Sequence, residues 1–136
     1  MIKKNSFYEG PERRRTGRRE ILESFSFSVM LPKKGDYRLP VYDVSELGMA
    51  FDLDMEGEEL SQFPVSAGET LDLNFYLNQT LYIPLSVRIV RIHEIEGKRK
   101  IGSEMAETES KYYQAYCSFV ELLDKIIGAL RIQKKS

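Results

Sequence analysis

Apolar and polar residues alternate with a period of two over most of the chain, as they do in strands with one buried face. The alternation is clearest in residues 71–77 and 81–89, which the polar residues 78–80 connect as a hairpin. Weaker alternation predicts further strands at 21–29, 37–42, 49–53 and 100–105. Short strands at this spacing, with turn residues between them, predict an all-β fold, either an antiparallel barrel or a sandwich.

The period changes near residue 109. From there to residue 130, apolar side chains recur at steps of three and four residues, which is typical of an amphipathic helix. The predicted apolar stripe consists of Tyr112, Tyr116, Phe119, Leu123, Ile126 and Leu130. Because such a face must be buried against something, we expect the helix to cover one end of the barrel.

The composition predicts a single globular domain. The chain has 136 residues, 8 Tyr, 7 Phe and a net charge of -1. It contains no apolar run that fits a membrane-spanning helix or a secretory signal, so we expect a cytoplasmic protein without membrane insertion. Residues 54–68 are acidic and aperiodic, and we expect them to form a solvated loop.

Cys117 and His93 are each the only residue of their type. A single cysteine excludes an internal disulfide and a cysteine-based zinc site, and a single histidine leaves little for a metal site or a catalytic triad. We therefore expect no enzymatic activity and neither a metal nor a cofactor. Cys117 lies among aromatic residues of the predicted helix, and we expect it to be a buried, inert thiol.

Positive charge is concentrated near the start of the chain, where five arginines fall within seven residues. They are Arg13, Arg14, Arg15, Arg18 and Arg19. Guanidinium groups bind phosphate oxygens in pairs and stack on aromatic bases, so this segment predicts binding to an anion. Since its like charges repel and it has little to bury, we expect residues 1–20 to be a flexible arm when no anion is bound.

A second motif follows the second predicted strand, with the sequence Asp43-Val44-Ser45-Glu46-Leu47-Gly48. We interpret it as a polar turn, in which Asp43 and Ser45 bond to nearby backbone and Gly48 takes a positive φ. The same residue types also suit a ligand site. A carboxylate accepts hydrogen bonds, a hydroxyl donates or accepts one, and glycine lets the backbone approach a ligand closely.

Together the two motifs resemble the signature of PilZ domains, which are bacterial receptors for the second messenger cyclic di-GMP. That signature combines RxxxR in an N-terminal arm with [D/N]xSxxG. Arg14 and Arg18, preceded by Arg13, match the first half, and Asp43–Gly48 matches every fixed position of the second. Further similarity in Met49-Ala50-Phe51, Val87–Arg91, Ile101-Gly102 and the closing helix extends it over about residues 11–130.

The resemblance implies a six-stranded antiparallel β-barrel with an N-terminal basic arm and a C-terminal helix. Its parts are an arm at 1–20, a barrel at 21–108 and a helix packed on the barrel at 109–131, which form a single domain over about 11–131. The resemblance also implies that the arm closes over cyclic di-GMP and that a downstream protein partner reads this change. The process controlled would be motility, biofilm formation or exopolysaccharide production.

The ligand-binding residues implied by the resemblance are Arg13, Arg14, Arg18, Asp43, Ser45 and Gly48. Arg15 and Arg19 fit RxxxR as well and form an alternative register. Arginine can pair phosphates or the O6 and N7 atoms of guanine, while Asp43 can accept the guanine N1–H and N2–H groups. One or two ligand molecules, and a monomer or a homodimer, are all compatible with these residues.

Two other functions fit parts of the sequence. A ligand-independent adaptor would bind a protein through the helix or the acidic loop. A nucleic-acid-binding barrel would place the arm on phosphates, but the body outside the arm is acidic and its aromatic residues mostly lie at core positions, which leaves no stacking platform. We therefore expect no nucleic acid partner.

Overall fold

The computed structural model describes residues 22, 25–58 and 63–129. Its elements are β1 Ser28–Met30, β2 Leu39–Ser45, β3 Gly48–Asp52, β4 Thr70–Tyr76, β5 Tyr82–Ile95, β6 Lys98–Met105 and helix α1 Lys111–Ala129, with a 3-10 turn at Pro32–Lys34. The six strands are antiparallel neighbours in a closed barrel with the order β1-β2-β3-β6-β5-β4. A six-stranded antiparallel barrel with a C-terminal helix confirms the predicted fold class. The basic segment 1–20 lies outside the described residues.

The β4–β5 hairpin shows why the alternating pattern forms a barrel. Leu73 and Phe75 of β4 are at most 1% exposed, and they pair with Leu85 and Ile83 of β5. Alternate side chains of a strand point to opposite faces of the sheet. Because the sheet closes on itself, the inward faces of all six strands form one core.

The predicted strand at 21–29 is wrong in its first part. Leu22 and Phe25 have helical backbone, Ser26 has a φ of 56°, and β1 begins only at Ser28. Leu22 is 1% exposed and Phe25 is 69% exposed, which reverses the faces that the alternation assigned to them. The reversal follows from the helical backbone, in which side chains no longer alternate between two faces.

Helix α1 begins at Lys111, two residues after the predicted start at Glu109. The Ser110 hydroxyl accepts a hydrogen bond from the backbone N–H of Tyr113 at 3.1 Å, so Ser110 caps the first turn. Within the described part of the chain, no helix is both long and apolar enough to cross a membrane.

The stripe of α1 that faces the barrel is shifted around the helix from the predicted one, towards Val120 and Ile127. The helix buries Tyr116, Val120, Leu123 and Ile127. Tyr112 and Ile126, which the periodicity assigned to the stripe, are 44% and 42% exposed. The helix is apolar over a wider arc than the barrel can cover, and the packing selects which part of that arc is buried. Leu130 lies outside the described residues.

Asp54, the first residue of the predicted acidic loop at 54–68, is buried, contrary to the prediction of a solvated loop. Asp54 is 3% exposed and accepts hydrogen bonds from Arg99, at 2.8 Å from Nε and from Nη2 and at 2.9 Å from the backbone N. Burial raises the pKa of Asp54, but the hydrogen bonds and charge of Arg99 outweigh burial, so the pKa lies below its ordinary value. The pair joins the segment after β3 to the start of β6.

Candidate functional site: a groove on the outer face of the barrel

The second motif forms the hairpin between β2 and β3. Asp43 and Ser45 belong to β2, Gly48 begins β3, and Ser45 pairs directly with Gly48. Only Glu46 and Leu47 lie between the strands. The predicted polar turn over residues 43–48 is therefore wrong in its extent, since only Glu46 and Leu47 form the turn and the rest of the segment is strand.

Gly48 is required by close contact between strands and not by a turn conformation. Its φ lies outside the left-handed region, unlike the positive φ predicted for it. A Cβ atom at Gly48 would lie 1.9 Å from the carbonyl oxygen of Ser103 and 2.8 Å from Cα of Glu104 on β6. Any side chain at this position would therefore push β3 away from β6.

One row of paired residues crosses the outer face of four strands beside this hairpin. Asp43 pairs with Ala50, Ala50 with Gly102, and Gly102 with Arg91. Ala50 and Gly102 have little or no side chain, so the row is flat in the middle and charged at both ends. Nη2 of Arg91 lies 3.4 Å from where a Cβ on Gly102 would stand, so the guanidinium extends over the glycine.

Two β-bulges turn the charged ends of this row outward. The register shifts by one residue in β2 just before Asp43 and in β5 just before Arg91. In regular strands, Asp43 would face the core like Val41, and Arg91 would face it like Ile89. Each bulge therefore moves a charged side chain from the core face to the outer face, a role that bulges often have near binding sites.

The row lies at the centre of a groove formed by two adjoining depressions of about 220 Å³ and 370 Å³. Both depressions are lined by Asp43, Ala50, Arg91 and Gly102. The first continues along the hairpin past Ser45, Leu47 and Gly48. The second continues to Tyr42, His93 and Lys100. Concave sites of this size, with a few polar groups, are typical of small-molecule binding.

Two charged side chains that line the groove, Lys100 and Glu104, each contact a side chain of opposite charge. In the second depression, Lys100 contacts Asp52 at 2.7 Å and lies 4.7 Å from the centre of the Tyr42 ring. At the other end, the Glu104 carboxylate accepts a hydrogen bond from Nε of Arg88 at 2.8 Å, which offsets its negative charge. Lys100 and Glu104 are therefore each paired with an opposite charge, and the Arg91 guanidinium and the Asp43 carboxylate lie at the two ends of the flat floor. A guanidinium binds anionic groups and a carboxylate accepts hydrogen bonds, so the floor suits a ligand that has both an anionic group and hydrogen-bond donors.

The structure brings together three of the predicted site residues, Asp43, Ser45 and Gly48, at one groove. Ser45 Oγ is 3.5 Å from the Gly48 carbonyl oxygen, at the long limit of a hydrogen bond. The predicted arginines Arg13, Arg14 and Arg18, with Arg15 and Arg19 as the alternative, all lie outside the described residues. Both registers of RxxxR stay predictions.

Arg91 was missed by the sequence analysis, although it lies at the end of the central row. The alternation in residues 81–89 would have directed it inward, and nothing local in the sequence marks the bulge. Its neighbour Gly102 was the available signal, since a glycine inside a predicted strand suggests close approach of another group. No cluster of potential metal ligands occurs among residues 22, 25–58 and 63–129.

The described residues thus form a small closed barrel with a polar groove beside a short hairpin. The family model for the PilZ domain matches residues 12–119. The chain belongs to the PilZ domain family. No curated protein matches it in sequence.

Solved structures that are similar to this chain share little sequence with it. The inhibitor of motility MotI (DgrA) from Bacillus subtilis is 24% identical with a TM-score of 0.49, and the match covers 71% of this chain and 46% of that one. YcgR from Escherichia coli in complex with c-di-GMP is 12% identical with a TM-score of 0.54, covering 76% and 42%. The PilZ domain of YcgR with c-di-GMP is 12% identical with a TM-score of 0.54, covering 73% and 80%. This chain thus spans less than half the length of the MotI and YcgR chains named first.

Proposed function

We propose that this protein is a receptor for cyclic di-GMP and that the groove between Asp43 and Arg91 binds the ligand. The observation that carries the proposal is the row in which a carboxylate and a guanidinium flank a flat floor beside the Asp43–Gly48 hairpin. Membership of the PilZ family and the c-di-GMP complexes of YcgR give further support.

The ligand and the groove have complementary chemistry. Cyclic di-GMP has two phosphates and two guanines, so its receptor must supply positive charge, hydrogen-bond acceptors and flat surfaces. Asp43 accepts the N1–H and N2–H groups of one guanine, and Ser45 contributes a hydroxyl at the same edge. Arg91 binds a phosphate or the O6 and N7 atoms of a guanine, and the Ala50 and Gly102 floor leaves room for a ring above the sheet.

The proposal includes an arm at residues 1–20, a barrel at 21–108 and a helix at 109–131. Arg13, Arg14 and Arg18 would close over the ligand phosphates, or Arg15 and Arg19 in the alternative register. A partner protein in the cytoplasm would read the ordering of the arm and control motility, biofilm formation or exopolysaccharide production. The proposed activity is binding, without a catalytic step or a cofactor.

Isothermal titration calorimetry of the full chain with cyclic di-GMP tests the site. We expect Asp43→Ala and Arg91→Ala each to weaken binding at least about tenfold, because each removes a charged hydrogen-bonding group that the ligand uses. Arg38→Ala is the matched control. It removes one arginine charge just before β2, but Arg38 lies over the Tyr76 ring and donates to the Gln79 carbonyl, away from the groove.

A wild-type protein that gives no heat with cyclic di-GMP would contradict the proposed function. Equal affinity in wild type and Asp43→Ala would instead show that cyclic di-GMP binds outside this groove. Cyclic di-AMP is the ligand control, because adenine lacks the N1–H and N2–H donors for Asp43, and we expect it not to compete.

A second pair of variants distinguishes the two arginine registers. The double substitution Arg14→Ala, Arg18→Ala is compared with Arg15→Ala, Arg19→Ala at the same salt concentration. Both remove the same charge, so a difference in affinity reports specific contacts rather than general attraction. The register that contacts the ligand loses the larger part of its affinity, and equal losses would contradict a single register.

A further inference from the structure

The binding hairpin is held through its backbone carbonyl groups. Three consecutive residues of it each accept one hydrogen bond from outside the hairpin. The Glu46 carbonyl accepts from the Tyr113 hydroxyl at 2.9 Å, and the Gly48 carbonyl accepts from the Tyr116 hydroxyl at 2.9 Å. Between them, the Leu47 carbonyl accepts from the backbone N of Met105 at 2.7 Å.

The local sequence alone does not fix this hairpin. Two-residue hairpin turns favour backbone conformations with positive φ, because these match the twist of the strands. Neither Glu46 nor Leu47 has a positive φ. The conformation of the turn therefore depends on hydrogen bonds from β6 and α1.

The two tyrosines are well placed to hold the turn rigidly. They lie three positions apart on α1, which puts them on the same side of the helix. Tyr116 is fully buried and packs edge-on against Phe75 with ring centres 5.7 Å apart, so its hydroxyl has a fixed position. A hydrogen bond with the Cys117 thiol and burial raise the pKa of Tyr113 to about 12.

The same hairpin lines the proposed ligand groove. Ser45, Leu47 and Gly48 form one side of the first depression, and Asp43 lies two residues before Ser45 on the same strand. Groups that bind a ligand must be held within about 0.5 Å of their productive positions. A hairpin that loses its carbonyl anchors can shift by more than this without unfolding the barrel.

We propose that Tyr113 and Tyr116 are positioning residues for ligand binding. Their hydroxyl groups hold the Glu46 and Gly48 carbonyls and thereby keep Ser45 and Asp43 in the geometry that binds the ligand. Neither hydroxyl touches the ligand itself. The proposal rests on the proposed function of the groove, and it extends the site to helix α1, beyond the RxxxR and DxSxxG motifs.

Calorimetry with cyclic di-GMP on wild type, Tyr113→Phe, Tyr116→Phe and the double variant tests the effect on affinity. Phenylalanine keeps the ring and its packing and removes only the hydroxyl. We expect Tyr116→Phe to weaken binding about fivefold, which corresponds to about 1 kcal/mol, and the double variant to weaken it further. Amide hydrogen exchange of residues 45–48 and Met105 in the ligand-free protein should be faster in both single variants.

Two control variants separate positioning from a general loss of stability. Tyr112→Phe removes a hydroxyl from an exposed residue of the same helix and should leave affinity and exchange unchanged. Ile127→Val removes one methyl from the buried stripe of α1. We expect it to lower the unfolding temperature without changing affinity at temperatures where the protein is fully folded.

Each outcome decides between the two proposals. A wild type that does not bind cyclic di-GMP overturns the proposed function, and the exchange rates then still show whether the hydroxyls hold the hairpin. A wild type that binds, with Tyr116→Phe equal to it in affinity, overturns the positioning role alone. The same holds if Ile127→Val weakens binding as much as Tyr116→Phe, or if exchange in the hairpin does not change.

Discussion

Two hairpins of this barrel turn in the same number of residues but are stabilised in different ways. In the β5–β6 hairpin, Ile95 pairs with Lys98 around Glu96 and Gly97, which have φ values of 52° and 79°. Positive φ at both central residues is the conformation that two-residue hairpins favour. This turn is therefore compatible with its strands through local conformation alone.

The β2–β3 hairpin lacks this local support. Its turn residues Glu46 and Leu47 do not have positive φ, and hydrogen bonds from β6 and α1 hold its carbonyls. The β2–β3 hairpin beside the groove therefore takes its shape from the rest of the fold, whereas the β5–β6 hairpin does not depend on it.

The largest expected effect comes from breaking the Asp54–Arg99 ion pair beside the turn of the β5–β6 hairpin. Asp54→Asn leaves the Arg99 guanidinium buried without its counter-charge, and we expect the free energy of unfolding to fall by about 3–5 kcal/mol in urea denaturation. The double substitution Asp54→Leu, Arg99→Met should recover most of this loss, because it removes both buried charges. A loss below about 1 kcal/mol would show that the pair behaves like an exposed salt bridge.

Gly48→Ala tests the tertiary support of the β2–β3 hairpin. The new Cβ would meet the Ser103 carbonyl oxygen at 1.9 Å, so β3 and β6 must separate. We expect the free energy of unfolding to fall by about 1–3 kcal/mol and cyclic di-GMP binding to weaken, as measured by urea denaturation and calorimetry.

Gly128→Ala on α1 is the control for that substitution, since its Cβ would meet nothing within 4 Å. Alanine favours helix over glycine, so the control should be neutral or stabilising. If Gly48→Ala were equally harmless, the close approach of β3 and β6 would not constrain the hairpin.

Gly97→Ala tests the opposite kind of turn. No atom lies within 4 Å of the new Cβ, but the φ of 79° is unfavourable for alanine. We expect a loss of about 1 kcal/mol in the free energy of unfolding. Affinity for cyclic di-GMP should not change, because the shape of this turn depends on its own backbone conformation and the turn lies away from the groove. A change in affinity would contradict the independence of the two hairpins.

The smallest effect is expected on mild acidification. The pKa of Asp54 is lowered in the folded protein, so the stability it contributes is complete above its unfolded pKa of 3.8 and is lost as pH falls through the folded value. The difference in unfolding free energy between wild type and Asp54→Asn should therefore stay constant from neutral pH to about pH 5 and narrow only below the unfolded value. A difference that already narrows near pH 6 would contradict this assignment.

The residue pattern by itself determined the β4–β5 hairpin and the C-terminal helix, while the choice of a barrel over a sandwich came from the resemblance to PilZ domains. Alternation in β4 and β5 and the change of period before α1 depend only on which residues are apolar, and burying them requires strands and a helix of this kind. The Asp43–Gly48 motif could also be recognised from its residue types and spacing. These features depend on residues close together in the chain, so the amino-acid sequence is sufficient to predict them.

Only the tertiary structure decided which side chains meet at the groove. Regular alternation would direct Asp43 and Arg91 into the core, and the bulges that turn them outward depend on pairing with β3 and β6. The need for glycine at position 48 likewise arises from the Ser103 carbonyl, far away in sequence. Burial of Asp54 with Arg99 has the same origin. The bulges are irregularities of strand pairing, and the contacts of Gly48 and Asp54 join segments far apart in sequence, so no local residue pattern predicts them.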